Sequence, residues 1–123
     1  MIDYHSNLVS ALSNILPVYY EMNLTEGITT PCISYYERNN YHTAVGDTIG
    51  YSDISYYVKI WGHSIADLQS YALQIDEALR PIGFQRTSSG EVFDINSTMI
   101  QKILVYDALF LEDFPEEENT IGE

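Results

Sequence analysis

The sequence offers few groupings of side chains that could carry out chemistry. His63 and Asp67 are four residues apart at the predicted start of a helix, a spacing that could place two metal ligands on one face. No third ligand is visible nearby, and structural zinc normally has four, so an ordinary histidine at a helix start is the favoured interpretation. His5 and His42 are distant from each other and add no further constellation.

The other candidate groups also favour structural interpretations. Asp76 and Glu77 are adjacent on a predicted helix, where their side chains diverge by ~100° and cannot act as a carboxylate pair. Cys32 has no neighbouring base and is interpreted as a small buried hydrophobe. The segment Gly46–Gly50 lacks the lysine and the helix of a phosphate-binding loop. The sequence therefore predicts no catalytic residue, no metal site, no cofactor and no enzymatic activity.

Composition narrows the possible partners. The 123 residues include 18 acidic and 5 basic side chains, giving a net charge of −13. A surface of this charge repels the phosphate backbone and disfavours binding to nucleic acid. A single cysteine excludes an internal disulfide framework. The N-terminus MIDYHSNLVS has an acid where a signal peptide would be basic, and no apolar run approaches the ~18 residues of a membrane span. We expect a soluble product made in the cytoplasm, with no membrane partner.

Apolar periodicity predicts the elements that position these side chains. One stripe of apolar residues indicates a helix over residues 3–16, which Pro17 ends. A second helix carries the stripe Leu68, Ala72, Ile75 and Leu79, with Ser64 as its N-cap. Strands are predicted at residues 18–20, 32–38 and 52–61, followed by a hairpin of residues 84–88 and 97–110 with a connector through Ser88, Ser89, Gly90 and Asn96.

The order of these elements indicates an α+β fold. We expect an antiparallel sheet of about four to five strands with two helices packed on one face. Residues 1–111 form the single domain. Residues 112–123, EDFPEEENTIGE, contain six acids and no base, and are predicted to be a flexible acidic tail.

The strand SDISYYVKIWG is aromatic on both of its faces. Side chains alternate across a strand, so one face carries Ile54, Tyr56, Val58 and Ile60, and the other Ser55, Tyr57, Lys59 and Trp61. The first set is predicted to lie in the core. The second is too apolar for plain solvent, which favours a covering partner such as another copy of the protein. The eleven tyrosines of the chain, several of them on strands such as Tyr36, favour an assembly surface in the same way.

Residues 39–51, NNYHTAVGDTIGY, are predicted to form a long loop because they contain two asparagines, two glycines and Gly-Asp turn chemistry. Loops of this length are often functional. Tyr41, Val45 and Ile49 are its candidate apolar anchors for a neighbouring subunit or partner.

Several segments together resemble the small tail terminator, or tail-to-head joining, proteins of long-tailed bacteriophages. They are ISYYERNN, YSDISYYVKIWGHS, IDEALRPIGFQRTSS and QKILVYDALF, within residues 3–111. The resemblance implies a virion structural protein whose α+β subunits assemble with themselves into a ring, usually a hexamer, that caps the tail tube. Such a ring meets the tail tube protein on one side and the head connector or stopper protein on the other, and DNA passes through it.

Within this interpretation the candidate contact residues are Tyr36, Tyr41, Val45, Ile49, Tyr57 and Trp61. Two alternatives remain open at this point: another phage neck component, such as a head completion or stopper protein, or a small ligand-binding or enzymatic α+β domain. A convergent polar pocket would favour the last of these.

Overall fold

The computed structural model describes residues 4–21, 28–44 and 49–113. In chain order these form α1 (Tyr4–Ser13), β1 (Val18–Tyr20), β2 (Cys32–Ala44), β3 (Ile49–Gly62), α2 (Ile65–Leu79), a 3-10 turn (Arg80–Ile82), β4 (Gln85–Asp94) and β5 (Met99–Asp113). The strands make one five-stranded sheet in the order β1-β2-β3-β5-β4. The predicted α+β fold with about five strands and two helices is confirmed.

The sheet is mixed rather than purely antiparallel. Three strand pairs are antiparallel, but β1 runs parallel to β2, with Val18 opposite Ile33 and Tyr20 opposite Tyr35. The two strands are joined by residues 21–31 instead of a tight turn, and a connection of this length can return the chain to the end of the sheet from which it started.

The two helices bury their apolar stripes in one core with the predicted face of β3. Leu8 and Leu12 of α1 and Leu68 and Ile75 of α2 are fully or almost fully buried in this cluster. The strand residues in it are Ile33, Tyr35, Ile54, Tyr56, Val58, Ile60, Leu104, Tyr106 and Ala108. All four residues assigned to the core face of the central strand are therefore in the core, as predicted.

Local signals set the ends of α2. The Ser64 hydroxyl accepts a hydrogen bond from the Asp67 backbone N–H at 3.3 Å, which confirms the predicted N-cap. The helix gives way to the 3-10 turn at Arg80–Ile82 and the chain reverses at Gly83, whose φ of 100° disfavours any side chain. A Cβ on Gly83 would also lie 2.7 Å from the Phe110 ring, so this turn has space only for glycine.

The strands are longer than predicted. The prediction of a loop over residues 39–51 is wrong for most of its length, because residues 39–44 belong to β2 and residues 49–51 to β3. Tyr41 lies on β2 opposite Asp53, and β2 and β3 stay paired as far as Ala44 and Gly50. Ile49 is the first residue of β3, while Val45 lies outside the described residues.

The hairpin connector is likewise shorter than predicted, because Ser88, Ser89 and Gly90 belong to β4 and pair with β5. Strand β5 includes Glu112 and Asp113, the first two residues of the predicted tail; the other residues of that segment lie outside the described part of the chain.

Candidate functional site: the open face of the sheet

The face of the sheet opposite the helices, here called the open face, carries most of the predicted contact residues. The cross-strand register aligns its side chains in rows, for example Tyr36, Tyr57 and Val105, or Tyr41, Asp53 and Leu109. The open face comprises Ser34, Tyr36, Asn39 and Tyr41 of β2, Asp53, Ser55, Tyr57, Lys59 and Trp61 of β3, Ile103, Val105, Asp107, Leu109 and Leu111 of β5, and Ser88, Gly90 and Val92 of β4.

One end of this face, the aromatic end, is formed by Tyr36, Tyr57 and Trp61. The Tyr36 and Tyr57 rings pack with their centroids 4.7 Å apart. The Lys59 ammonium lies 5.3 Å from the centroid of the Tyr36 ring, and the Arg38 guanidinium carbon 5.9 Å from that of Tyr57, both within cation–π range. The structure therefore brings together three residues that the sequence analysis predicted for an interface.

Three polar side chains at the aromatic end, those of Trp61, Ser34 and Lys59, are paired within the chain. The Trp61 indole N–H donates to the Ser34 hydroxyl at 2.8 Å, and Ser34 in turn donates to Glu21 at 3.4 Å. The Lys59 ammonium forms an ion pair with the same Glu21 oxygen at 2.8 Å. Burial raises the pKa of the Tyr36 hydroxyl and outweighs the lowering effect of the Lys59 charge. Trp61, Ser34 and Lys59 at the aromatic end are thus linked to one another through Glu21 by hydrogen bonds and an ion pair.

The opposite end, the apolar end, consists of Tyr41, Leu109 and Leu111, and it is much more exposed. Their exposed fractions are 64%, 67% and 72%. Strands β2, β3 and β5 carry these side chains into adjacent rows, since Tyr41 and Leu109 both flank Asp53 and Leu111 lies one row beyond. Large apolar side chains grouped on an uncovered sheet face are typical of a contact surface.

A row of three polar side chains separates the two ends. Asn39, Ser55 and Asp107 are aligned across β2, β3 and β5. Asn39 Oδ1, Ser55 Oγ and Asp107 Oδ1 are buried and have no hydrogen-bond partner within the part of the chain that the structure describes. Asp107 also lines a shallow depression of about 380 Å³ with Asp53, Gln85, Thr87 and Leu109.

Sequence reasoning did not single out Leu109 and Leu111. The run ILVYDALFL is apolar at both alternating sets of positions, so its pattern did not reveal which set faces the helices. Asp107 could have revealed it, because a carboxylate rarely faces an apolar core. The residues that alternate with the same phase as Asp107, namely Val105, Leu109 and Leu111, therefore face away from the helices.

Of the residues considered for chemistry, His63 and Asp67 line one small depression at the start of α2, which Cys32, Asp76 and Glu77 do not line. His63 Nδ1 lies 3.2 Å from the Thr98 backbone oxygen, and the Cys32 thiol is buried, which raises its pKa and keeps it protonated. Asp76 accepts hydrogen bonds from the Tyr106 hydroxyl and from Arg86. Within residues 4–21, 28–44 and 49–113, no group of three or more His, Cys, Asp or Glu side chains could hold a metal ion.

Comparison with known proteins adds no assignment, since no protein-family model and no curated protein matches the chain. Neither of the two described helices is both long enough and apolar enough to cross a membrane.

Proposed function

We propose that the protein is a virion structural subunit of a long-tailed bacteriophage. Copies of it form a ring, a hexamer by resemblance to tail terminator proteins, at the head-proximal end of the tail tube. The ring ends tail-tube polymerisation and joins the tail to the head connector. Its partners are other copies of itself, the tail tube protein and the connector or stopper protein.

The observation that carries this proposal is the exposed apolar end of the open face. Burying a large apolar side chain stabilises a contact by ~1.5–3 kcal/mol, and three such side chains in adjacent rows supply an anchor for a neighbour. The aromatic end, on the other side of the polar row, extends the surface with the Tyr36 and Tyr57 rings, which already pack on each other and so lose less entropy on docking.

The net charge of −13 supports the same proposal. A negatively charged inner surface would repel the DNA backbone. Such a surface suits a ring through which DNA must pass without being retained.

The direct test combines native mass measurement with electron microscopy of the protein added to isolated tails. We expect a closed ring in solution or on the tail, and density at the head-proximal end only. A protein that is monomeric at all concentrations and leaves tails undecorated would remove the proposal. Density on the portal of filled heads instead of the tail tube would favour the head completion or stopper alternative.

A matched pair of variants tests the surface itself. The double substitution Leu109→Ser and Leu111→Ser removes the apolar end, whereas Leu73→Ser alters an equally exposed leucine on α2, at 64%. We expect the double variant to fold but to lose assembly or tail binding, and Leu73→Ser to retain both.

A further inference from the structure

The polar row of Asn39, Ser55 and Asp107 lies across the middle of the open face and lacks hydrogen-bond partners. One oxygen atom of each side chain is buried without a partner among the described residues, and Ser55 is only 2% exposed. Buried polar atoms are almost always paired, because leaving one unpaired costs the free energy of its lost contact with water. Three such atoms in one row therefore indicate a site that a donor group from outside the chain completes.

The charge and shape of this site favour a guanidinium group. Asp53 and Asp107 both line the depression of about 380 Å³ beside the row, and neither takes part in an ion pair with a described residue. Neighbouring strands lie ~4.8 Å apart, so a row across three strands extends over roughly 10 Å. A guanidinium spreads several N–H donors over one plane and pairs well with carboxylates, whereas an ammonium is a compact point charge. The group that fits is thus an arginine side chain.

The chain itself has few basic side chains to offer to a neighbouring copy. All five lie in described residues, and three of them form ion pairs within the chain, namely Lys59, Arg86 and Lys102. Arg38 and Arg80 form no ion pair with a described residue. The Arg38 guanidinium lies over the Tyr57 ring on the open face itself. A contact through Arg38 would join two open faces, and a self-complementary contact of that kind closes at two copies.

We propose that Arg80 of one copy enters the depression of the next copy and pairs with Asp107 and Asp53, so that its guanidinium supplies the donors that the polar row lacks. Arg80 is exposed in the 3-10 turn that follows α2, and α2 packs on the opposite face of the sheet. Donor and acceptor are on different surfaces, so the contact is heterologous and can repeat around a ring. This inference rests on the proposed function, because it names the side chain through which neighbouring subunits join.

The apolar end makes this ion pair stronger than an exposed one. Leu109 borders the depression, and Tyr41 flanks Asp53 in the same row. A neighbour that covers these side chains excludes water from the depression, and the lower dielectric strengthens the pairing of the guanidinium with the two carboxylates. Removing one partner of such a pair leaves the other charge buried, which weakens association strongly.

Sedimentation of three variants at several protein concentrations tests the role of Arg80. Arg80→Gln removes the guanidinium, Arg80→Lys keeps only its charge, and Gln74→Glu on α2 changes the net charge by the same amount as Arg80→Gln. We expect the midpoint concentration of assembly to rise on the order of tenfold or more for Arg80→Gln, to rise less for Arg80→Lys, and to match wild type for Gln74→Glu. Wild-type assembly by Arg80→Gln would overturn the inference while leaving the ring intact.

A double-mutant cycle tests whether Arg80 and Asp107 contact each other between subunits. Asp107→Asn keeps the shape of the side chain but removes its charge. If the two side chains pair, the double variant should assemble no worse than Arg80→Gln alone, since the contact is already lost. Losses that multiply in the double variant would overturn the pairing.

Tail binding separates the remaining outcomes. Normal rings from both Arg80→Gln and Asp107→Asn, with tail binding lost only by Asp107→Asn, would overturn the inference and assign the site to an arginine of a partner protein. A wild-type chain that never assembles would overturn the proposed function and this inference together.

Discussion

The two faces of the sheet are built from the same residue types but have opposite properties. On the helix face, Tyr35, Tyr56 and Tyr106 are buried among leucines and isoleucines from both helices. On the open face, Tyr36 and Tyr57 remain partly exposed and Tyr41 is mostly exposed. Tyrosine content alone therefore does not identify an interface. The strand register decides which rings stabilise the fold and which remain available to a partner.

The largest loss in the free energy of unfolding should come from a substitution that creates a cavity on the helix face. Ile60 is fully buried on the helix face, so Ile60→Ala should lower the free energy of unfolding by ~2–5 kcal/mol. Chemical denaturation of wild type and variant measures this. A loss below ~1 kcal/mol would mean that the helix face is not the main source of stability.

A polar contact that holds α2 on the sheet should have the next largest effect. The buried Tyr106 hydroxyl donates to Asp76, and burial together with that carboxylate raises the pKa of Tyr106 above its usual value. Tyr106→Phe should lower stability at pH 7 by ~1.5–3 kcal/mol, as expected for a hydrogen bond to a charged group.

The same contact predicts a pH dependence. A tyrosine pKa that is raised in the folded state contributes stability fully below the unfolded value of ~10, and loses it as pH rises further. Thermal melts between pH 8 and 11 should therefore show a steeper alkaline loss for wild type than for Tyr106→Phe. Equal slopes would contradict the assignment.

On the open face, the aromatic end should contribute less to stability. Trp61→Phe keeps an aromatic ring but removes the indole donor to Ser34, so we expect a loss of ~0.5–1.5 kcal/mol. We also expect weaker assembly, measured by sedimentation at several protein concentrations. Loss of stability as large as that of Ile60→Ala would reverse the roles of the two faces.

The smallest effect on folding should come from the apolar end. Leu109→Ser replaces a side chain that is 67% exposed, so stability should change by no more than ~0.5 kcal/mol. Denaturation would measure this. A marked destabilisation would show that Leu109 packs within its own chain.

The sequence predicted the helices and the central strand well because their signals are strong. Helical stripes such as Leu68, Ala72, Ile75 and Leu79, and the alternation of β3, leave little ambiguity about which side is buried. The placement of Tyr57 and Trp61 on the face away from the core could be predicted for the same reason.

The extensions of β2 and β4 could not be predicted, because their residues have weak strand propensity. Asn39, Asn40, Ser89 and Gly90 suggest turns when considered locally, yet each pairs with a strand that is distant in sequence or across a hairpin. Tertiary pairing overrode local preference there. Leu109 and Leu111 of the apolar end went unrecognised for a related reason, since their position depends on the register of β5 with β3.

The ion pairs inside the chain have a consequence for the timing of the proposed assembly. Of the five basic side chains, Lys59, Arg86 and Lys102 already pair with Glu21, Asp76 and Glu91. Few cations remain to attract the excess acids of another copy, so free copies repel one another over a Debye length of ~8 Å at physiological salt. Encounter between subunits should therefore be slow at low ionic strength and accelerate as salt is added. This is a kinetic barrier that would delay self-association until a template concentrates the subunits.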